Sequence, residues 1–254
     1  MRGTVAPTAA SLGLGQQRWP RIEPGQPLLL VPVGSVEQHG PHLPLATDTM
    51  VANAVTRAAA ERLDATGTRV LVAPSVNYGA SGEHQGFPGT VSIGHEALFL
   101  LLVELARSAC HWSGGIVFVN GHGGNTSTLL KVVELLRYED RAVAWTSTAL
   151  ADADAHAGET ETSLLRFLAP WSVRVDLMAA GATEPVSELM PRLREEGVRG
   201  VSPNGVLGDP TTSSPERGRE LFQRLVRNLV AELTALDVTA NGRLGGARQP
   251  LGTP

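Results

Sequence analysis

The chain has 254 residues, which suits one large domain and is short for two. Hydrophobic residues make up 42% and charged residues 18%, as in an ordinary globular protein with a sizeable core. The net charge of −4 argues against a nucleic-acid-binding protein. Cys110 is the single cysteine, which excludes an internal disulfide and a cluster of thiolate metal ligands.

The two ends of the chain differ in composition from its interior. Residues 1–24 are polar and rich in Pro and Gly, which predicts a flexible arm, and residues 239–254 are expected to form a disordered tail. Residues 25–238, without repeat or linker, are expected to form a single domain. We expect a cytoplasmic protein, because the first 20 residues lack a signal-peptide layout and the longest apolar run, 97–106, is too short to span a membrane.

Short apolar runs alternate with stretches of helical periodicity through the interior. This alternation predicts an α/β fold with a mostly parallel sheet and helices on both faces. A polar residue at a helix start is typical of an N-cap. The predicted elements are strand 28–33, helix 48–63 with Thr47 or Asp48 as its cap, strand 69–74, helix 96–112, strand 115–120, helix 127–138, strand 142–147, helix 159–168 and helix 215–236.

Four predicted strands are each followed by a glycine-rich loop that carries His, Asp, Glu or Asn. Open α/β sheets bind their ligands beyond the carboxyl ends of the strands. We therefore expect these four loops to converge on one site at one edge of the sheet.

The first loop, 34–49, carries Glu37, His39 and Asp48. Glu37 and His39 are two residues apart in an extended segment, so their side chains can point the same way, and Asp48 can fold back from the start of the next helix. One imidazole and two carboxylates suit Zn, Mn or Fe(II). The alternative is a solvated polar loop followed by a helix cap.

The second loop, 119–125, has three glycines around His122, directly after an apolar strand. Glycines let the backbone approach a ligand closely. A phosphate-binding loop is the alternative, but the segment lacks the Lys-Ser/Thr end of a P-loop and its histidine is a better metal ligand.

The two remaining loops are weaker signals. His156 precedes a helix and Glu161 lies one turn inside it, so the pair could act as acid/base and ligand, or belong to a capping box. Segment 78–94 has the small residues and single aromatic ring of a substrate-contacting loop, or it is an Ω-loop held by its own polar groups. The candidate substrate contacts are Glu83, His84 and Phe87 in this segment, and Gly123 and Gly124 in the second loop.

Taken together, the four motifs resemble the creatininase family of amidohydrolases. The matching pieces occur in the family's order over about residues 28–168. The resemblance implies two divalent metal ions per subunit (Zn, Fe(II) or Mn) at the carboxyl edge of the sheet, which activate water against an amide C–N bond. The pieces are Glu37-Gln-His39, Asp48-Thr49, Asn120-Gly-His122-Gly-Gly-Asn125 and His156-Ala-Gly-Glu-Thr-Glu161-Thr-Ser163.

By position, the family's metal ligands correspond to Glu37, His39, Asp48 and His122, with Asp48 bridging. The same resemblance makes His156 the catalytic acid/base.

Creatininase itself has a further glutamate ligand two residues after the third-strand histidine, and this chain has Gly124 there. The departure argues against creatinine as the substrate. We expect Glu161 to supply the missing ligand or to orient His156.

Segments 78–85, 89–94 and 201–212 resemble a peptide-processing branch of the family. That branch hydrolyses a modified precursor peptide and frees a crosslinked C-terminal Val-Tyr piece, which is the activity expected here.

Two alternatives stay open. One is another hydrolase of the same kind, acting on creatinine or on a formamide. The other is a non-catalytic metal-binding partner of a peptide-modifying complex, which would need no proton donor such as His156. The resemblance also implies a homo-oligomer, a hexamer or larger. The net charge and the short apolar runs argue against nucleic-acid and membrane partners.

Overall fold

The computed structural model describes residues 12–23, 25–150 and 152–245. A four-stranded sheet lies at its centre, and all of its neighbouring strands run parallel. The strands are β1 (Leu28–Val33), β2 (Val70–Val72), β3 (Gly115–Asn120) and β4 (Val143–Ser147), and their order in the sheet is β2-β1-β3-β4.

Helices separate the strands along the chain and cover both faces of the sheet. No helix among the described residues is both long and apolar enough to cross a bilayer. The helices are α1 (Trp19–Ile22), α2 (Thr47–Ala65), α3 (Gly94–Ala109), α4 (Thr126–Tyr138), α5 (Glu159–Leu168), α6 (Val186–Val201) and α7 (Pro215–Ala235).

Alternate residues of each strand face opposite sides of the sheet and belong to two separate cores. Leu30 and Val117 pack with α2, α5 and α7, whereas Leu29 and Phe118 pack with α3 and α4. Full burial of a side chain of this size stabilises the fold by roughly 1.5–3 kcal/mol. The predicted α/β fold, with a parallel sheet between two layers of helices, is confirmed.

Helix α6 was not predicted from the sequence. It contains Pro191, and at Gly197 the backbone leaves the helical region with a φ of 67°, so two helical pieces meet at a kink. Proline removes a helical hydrogen bond and glycine takes positive φ without strain, and together they obscure the helical pattern.

The predicted cap of α2 was wrong. The helix begins at Thr47, its N-cap is Ala46, and no side chain caps it. The carboxylate of Asp48 contacts Ser35 and His39 instead of the helix backbone.

The segments expected to form a flexible arm (1–24) and a disordered tail (239–254) each contribute one buried leucine to the core. Leu12 is buried in the core, and so is Leu244 after the last helix. Each leucine removes apolar surface from water, which stabilises the segment that carries it. Residues 1–11, 24 and 246–254 of these segments lie outside the described residues. The C-terminal strands are β5 (Asp237–Val238) and β6 (Leu244–Gly245), which pair antiparallel.

Candidate metal centre

A buried cluster of carboxylates and imidazoles lies at the carboxyl edge of the sheet. It forms where the loops after β1 and β3 meet the segment before α5. Val33 and Asn120, the last residues of β1 and β3, are paired in register, so both loops leave the sheet at the same level. Three groups each offer donor atoms within 4.8 Å of one another: Glu37, His39 and His156; Glu37, Asp48 and His122; and His39, Asp48 and Glu161.

Asp48 belongs to two of these groups, one on each side of its carboxylate. Its Oδ1 lies 3.2 Å from His39 Nε2, and its Oδ2 lies 3.3 Å from His122 Nδ1. A carboxylate whose two oxygens face different imidazoles has the geometry of a bridge between two cations. The bridging role expected of Asp48 from the family resemblance stays a prediction.

Glu37 is fully buried and one of its oxygens has no hydrogen bond. Oε1 lies 3.2 Å from His122 Nδ1, 3.3 Å from His84 Nε2 and 3.8 Å from His156 Nδ1, and none of these contacts has hydrogen-bond geometry. Leaving a buried carboxylate oxygen unsatisfied is costly. Oxygen and nitrogen donors that converge without bonding one another fit a divalent cation.

The charges of the cluster are strongly perturbed. Burial and Asp48 raise the pKa of Glu37, but His122 and His84 outweigh them and bring it to about 2. Burial lowers the pKa of His39, yet Asp48 and Glu161 raise it to about 10. The pKa of His122 is raised as well, so protons on His39 and His122 balance the carboxylates when no metal is bound, and binding cations would displace those protons.

Two features that sequence reasoning missed hold the carboxylates in place. The Ser35 hydroxyl lies 2.8 Å from Glu37 Oε2 and 2.7 Å from Asp48 Oδ2. Glycines let the strand ends approach the first turn of α2: a Cβ at Gly121 would lie 2.6 Å from the Asp48 carbonyl oxygen. Ser35 is a short polar residue two positions before Glu37 of the Glu-x-His motif, and this position was the sequence signal that could have identified it.

His156 is fixed by backbone and side-chain contacts. It exchanges two backbone hydrogen bonds with Leu207, at 3.1 and 2.8 Å. Its Nε2 lies 2.8 Å from the Gln38 carbonyl oxygen, so Nε2–H donates there and Nδ1 faces Glu37. Burial, with the nearby His39 and His84, holds the pKa of His156 well below its usual range. The neutral imidazole therefore has a lone pair at Nδ1 that can accept a proton.

Glu161 lies beside the second ligand group. Its Oε2 accepts a hydrogen bond from Ala157 N at 2.6 Å and lies 3.9 Å from His39 Nε2. Burial raises the pKa of Glu161 to about 7, with Asp48 adding to the rise and His39 opposing it. The structure thus brings Glu161 together with His39 and Asp48, and its role as a metal ligand stays a prediction.

A cavity of about 680 Å³ opens above the cluster. It is lined by four of the five candidate substrate contacts, whereas Phe87 packs under α6 against Leu189, Val198 and Leu207. The four that line it are Glu83, His84, Gly123 and Gly124.

Position 124 has no room for a side chain. A Cβ there would lie 2.4 Å from His122 Nε2, 2.5 Å from the Ala80 carbonyl oxygen and 2.7 Å from Glu83 Oε1. The surrounding atoms therefore favour glycine at position 124, where creatininase has a glutamate.

Comparisons with known proteins identify the family to which the chain is similar. Residues 16–233 match the family model Creatininase, described as creatinine amidohydrolase. The chain is 51% identical over 233 residues to the mycofactocin precursor peptide peptidase of Mycolicibacterium smegmatis, covering 91% of this chain and 94% of that protein. It is 48% identical over 222 residues to the protein of that name from Mycobacterium tuberculosis, covering 85% and 88%. A solved creatininase with a tryptophan substitution superimposes with a TM-score of 0.76 at 27% identity, covering 89% of this chain and 99% of that one.

The fold and the buried carboxylate–imidazole cluster define a hydrolase that acts on amide bonds. The chain belongs to the creatininase family, as its motifs predicted. Members of this family bind divalent metals, and one solved relative is a manganese creatininase.

Proposed function

We propose that this chain is a metal-dependent peptidase that cleaves the modified mycofactocin precursor peptide and releases its crosslinked C-terminal Val-Tyr piece. The observation that carries the proposal is 51% identity, over nearly the whole of both chains, to a mycobacterial peptidase named for that substrate. A cavity of about 680 Å³ above the cluster is within the size range of ligand pockets and has room for part of a peptide.

In this proposal the cluster holds two divalent cations, of Zn, Fe(II) or Mn. Carboxylate and imidazole donors suit all three metals. Each site has three protein donors and shares Asp48 with the other. One site consists of Glu37, Asp48 and His122, and the other consists of His39, Asp48 and Glu161.

When bound, such ions activate water and polarise the amide carbonyl. The chain supplies the proton transfer. His156 accepts at Nδ1 the proton that the attacking water loses and gives it to the leaving amine nitrogen, which is too basic to depart unprotonated. The Nε2–H bond to the Gln38 carbonyl keeps Nδ1 turned toward Glu37 throughout. Gly123 and Gly124, without side chains, leave the cavity open for the peptide.

Two other functions are less well supported. Creatinine hydrolysis is disfavoured by the packing around Gly124, which excludes the glutamate expected of creatininase. A formamide hydrolase would use the same cluster and differ only in the cavity. A purely metal-binding partner would not need His156, whose neutral imidazole faces the cluster.

A mass-spectrometric assay distinguishes these functions. Purified protein is incubated with the crosslinked precursor peptide, with creatinine and with a formamide. The expected result is a new product carrying the Val-Tyr piece and no turnover of the two small amides. An intact peptide together with hydrolysis of a small amide would reject the peptidase assignment and keep the metal centre.

We further propose a cytoplasmic homo-oligomer, a hexamer or larger, on the strength of the family relation. Exposed leucines on α3, Leu100 and Leu101, supply apolar surface for such contacts. Light scattering during size-exclusion chromatography would test it, and a monomer at working concentration would contradict it.

A further inference from the structure

The cavity above the metal cluster has two different surfaces. The histidines and glutamates of the cluster form its floor, and the unpredicted helix α6 forms a wall. Val186, Met190 and Leu193 make the wall largely apolar, and Arg194 follows them in the chain. A wall of apolar side chains with one charged group is typical of a specificity pocket.

The wall is held firmly against the loop that carries Glu83. Gly197 has a φ of 67°, which favours glycine, and a Cβ there would lie only 3.0 Å from the Glu83 carbonyl oxygen, so a side chain would strain this close approach. Arg199 donates a hydrogen bond to the Gly86 carbonyl at 2.6 Å and stacks on Phe87 at 5.5 Å. These contacts fix the position of α6 and therefore the cavity-facing position of Arg194.

Arg194 differs from the other arginines of this helix. Arg192 pairs with Glu196, and Arg199 is bound to the Gly86 carbonyl. No ion pair joins Arg194 to any described residue, and it is the only Arg or Lys among the described residues that line the cavity. A guanidinium has a rigid fork of donors that matches a carboxylate, so a free one in a binding cavity points to an anionic ligand group.

We propose that Arg194 is a specificity-determining residue that binds a carboxylate of the peptide substrate. The inference rests on the proposed peptidase function and adds to it the chemical class of the substrate: a peptide with a carboxylate placed to meet α6. Met190 and Leu193 contact the apolar portion of the same peptide. The carboxylate comes from an acidic side chain or from the peptide's C-terminus, and the two sources are separable by experiment.

Steady-state kinetics on matched peptides tests this role. One series changes each Asp or Glu of the peptide to its amide, and another carries a C-terminal amide. The enzymes are wild type, Arg194→Gln, Arg194→Lys and the control Arg192→Gln, which removes a charge from the same helix but not from the cavity. Metal content is measured for each.

Loss of a hydrogen bond to a charged group corresponds to about a 10- to 100-fold change. We expect Arg194→Gln to raise KM by that factor for the acid peptide, with kcat and metal content nearly unchanged. Arg194→Lys should recover part of the affinity, and Arg192→Gln should behave like wild type. In one of the amide peptides, wild type and Arg194→Gln should have the same KM. The carboxylate that this peptide lacks is the one that Arg194 binds.

An equal effect of Arg194→Gln on acid and amide peptides, or no effect on KM, would overturn the role of Arg194 while wild-type cleavage leaves the peptidase function intact. If wild type itself cleaves no peptide, the proposed function fails and the substrate inference fails with it.

Discussion

Replacement of Asp48 by asparagine is the most informative perturbation of the cluster. Its Oδ1 faces His39 and its Oδ2 faces His122, so Asp48→Asn removes a charged donor from both proposed sites while keeping the side chain's shape. His122→Ala and Glu161→Gln each remove a donor from one site only. We therefore expect metal content to fall from two ions per subunit to none in Asp48→Asn and to one in each of the other variants.

The loss should also appear in thermal stability. An ion present at 100 times its Kd stabilises the folded state by about 2.7 kcal/mol. For a chain of this size that amounts to about 5–11 °C in Tm per ion. Elemental analysis gives the metal content, and calorimetry with and without metal gives the increment. Two ions retained in Asp48→Asn, or an undiminished Tm increment, would refute the shared-bridge geometry.

Three further predictions concern the proton carrier, the packing and the metal linkage. His156→Ala should keep both ions and lose about two to four orders of magnitude in kcat; loss of metal instead would make His156 a ligand. Gly121→Ala, whose Cβ would lie 2.6 Å from the Asp48 carbonyl oxygen, should lower the free energy of unfolding by about 1–3 kcal/mol. Gly123→Ala, which meets nothing within 4 Å, should leave stability unchanged, and urea unfolding compares the two. Because the pKa of His39 is raised to about 10 in the metal-free cluster, metal binding at pH 7 should release protons and strengthen as pH rises. Calorimetric titration in buffers of different ionisation enthalpy measures the release, and none would contradict the ligand role of His39.

Much of the fold could be predicted because its elements have uniform local patterns. β1, β3 and α5 begin and end at the predicted residues, since continuous apolar runs and a clear helical period mark them. Helix α6 was missed because Pro191 and Gly197 interrupt its pattern, and with it the wall that carries Arg194 was missed.

The residues of the candidate site were also only partly predictable from the sequence. The order of the family motifs along the chain was enough to predict that Glu37, His39, Asp48, His122 and Glu161 lie close together. That Glu161 replaces the ligand absent at Gly124 stays a prediction. The role of Gln38 could not be predicted, because it depends on partners far along the chain, whereas Ser35 contacts Glu37 and Asp48, only 2 and 13 residues away, and was overlooked. Gln38 Nε2 meets His84 and His156, for example, 46 and 118 residues away.

Chelation and metal restoration of the wild-type protein test whether peptide cleavage depends on two bound cations. Cleavage of the crosslinked precursor peptide is followed by mass spectrometry before chelation, after it, and during titration with Zn, Mn or Fe(II). We expect cleavage to disappear with the metal and to return to a plateau at two equivalents per subunit. Full cleavage by protein shown to be free of metal would contradict this expectation.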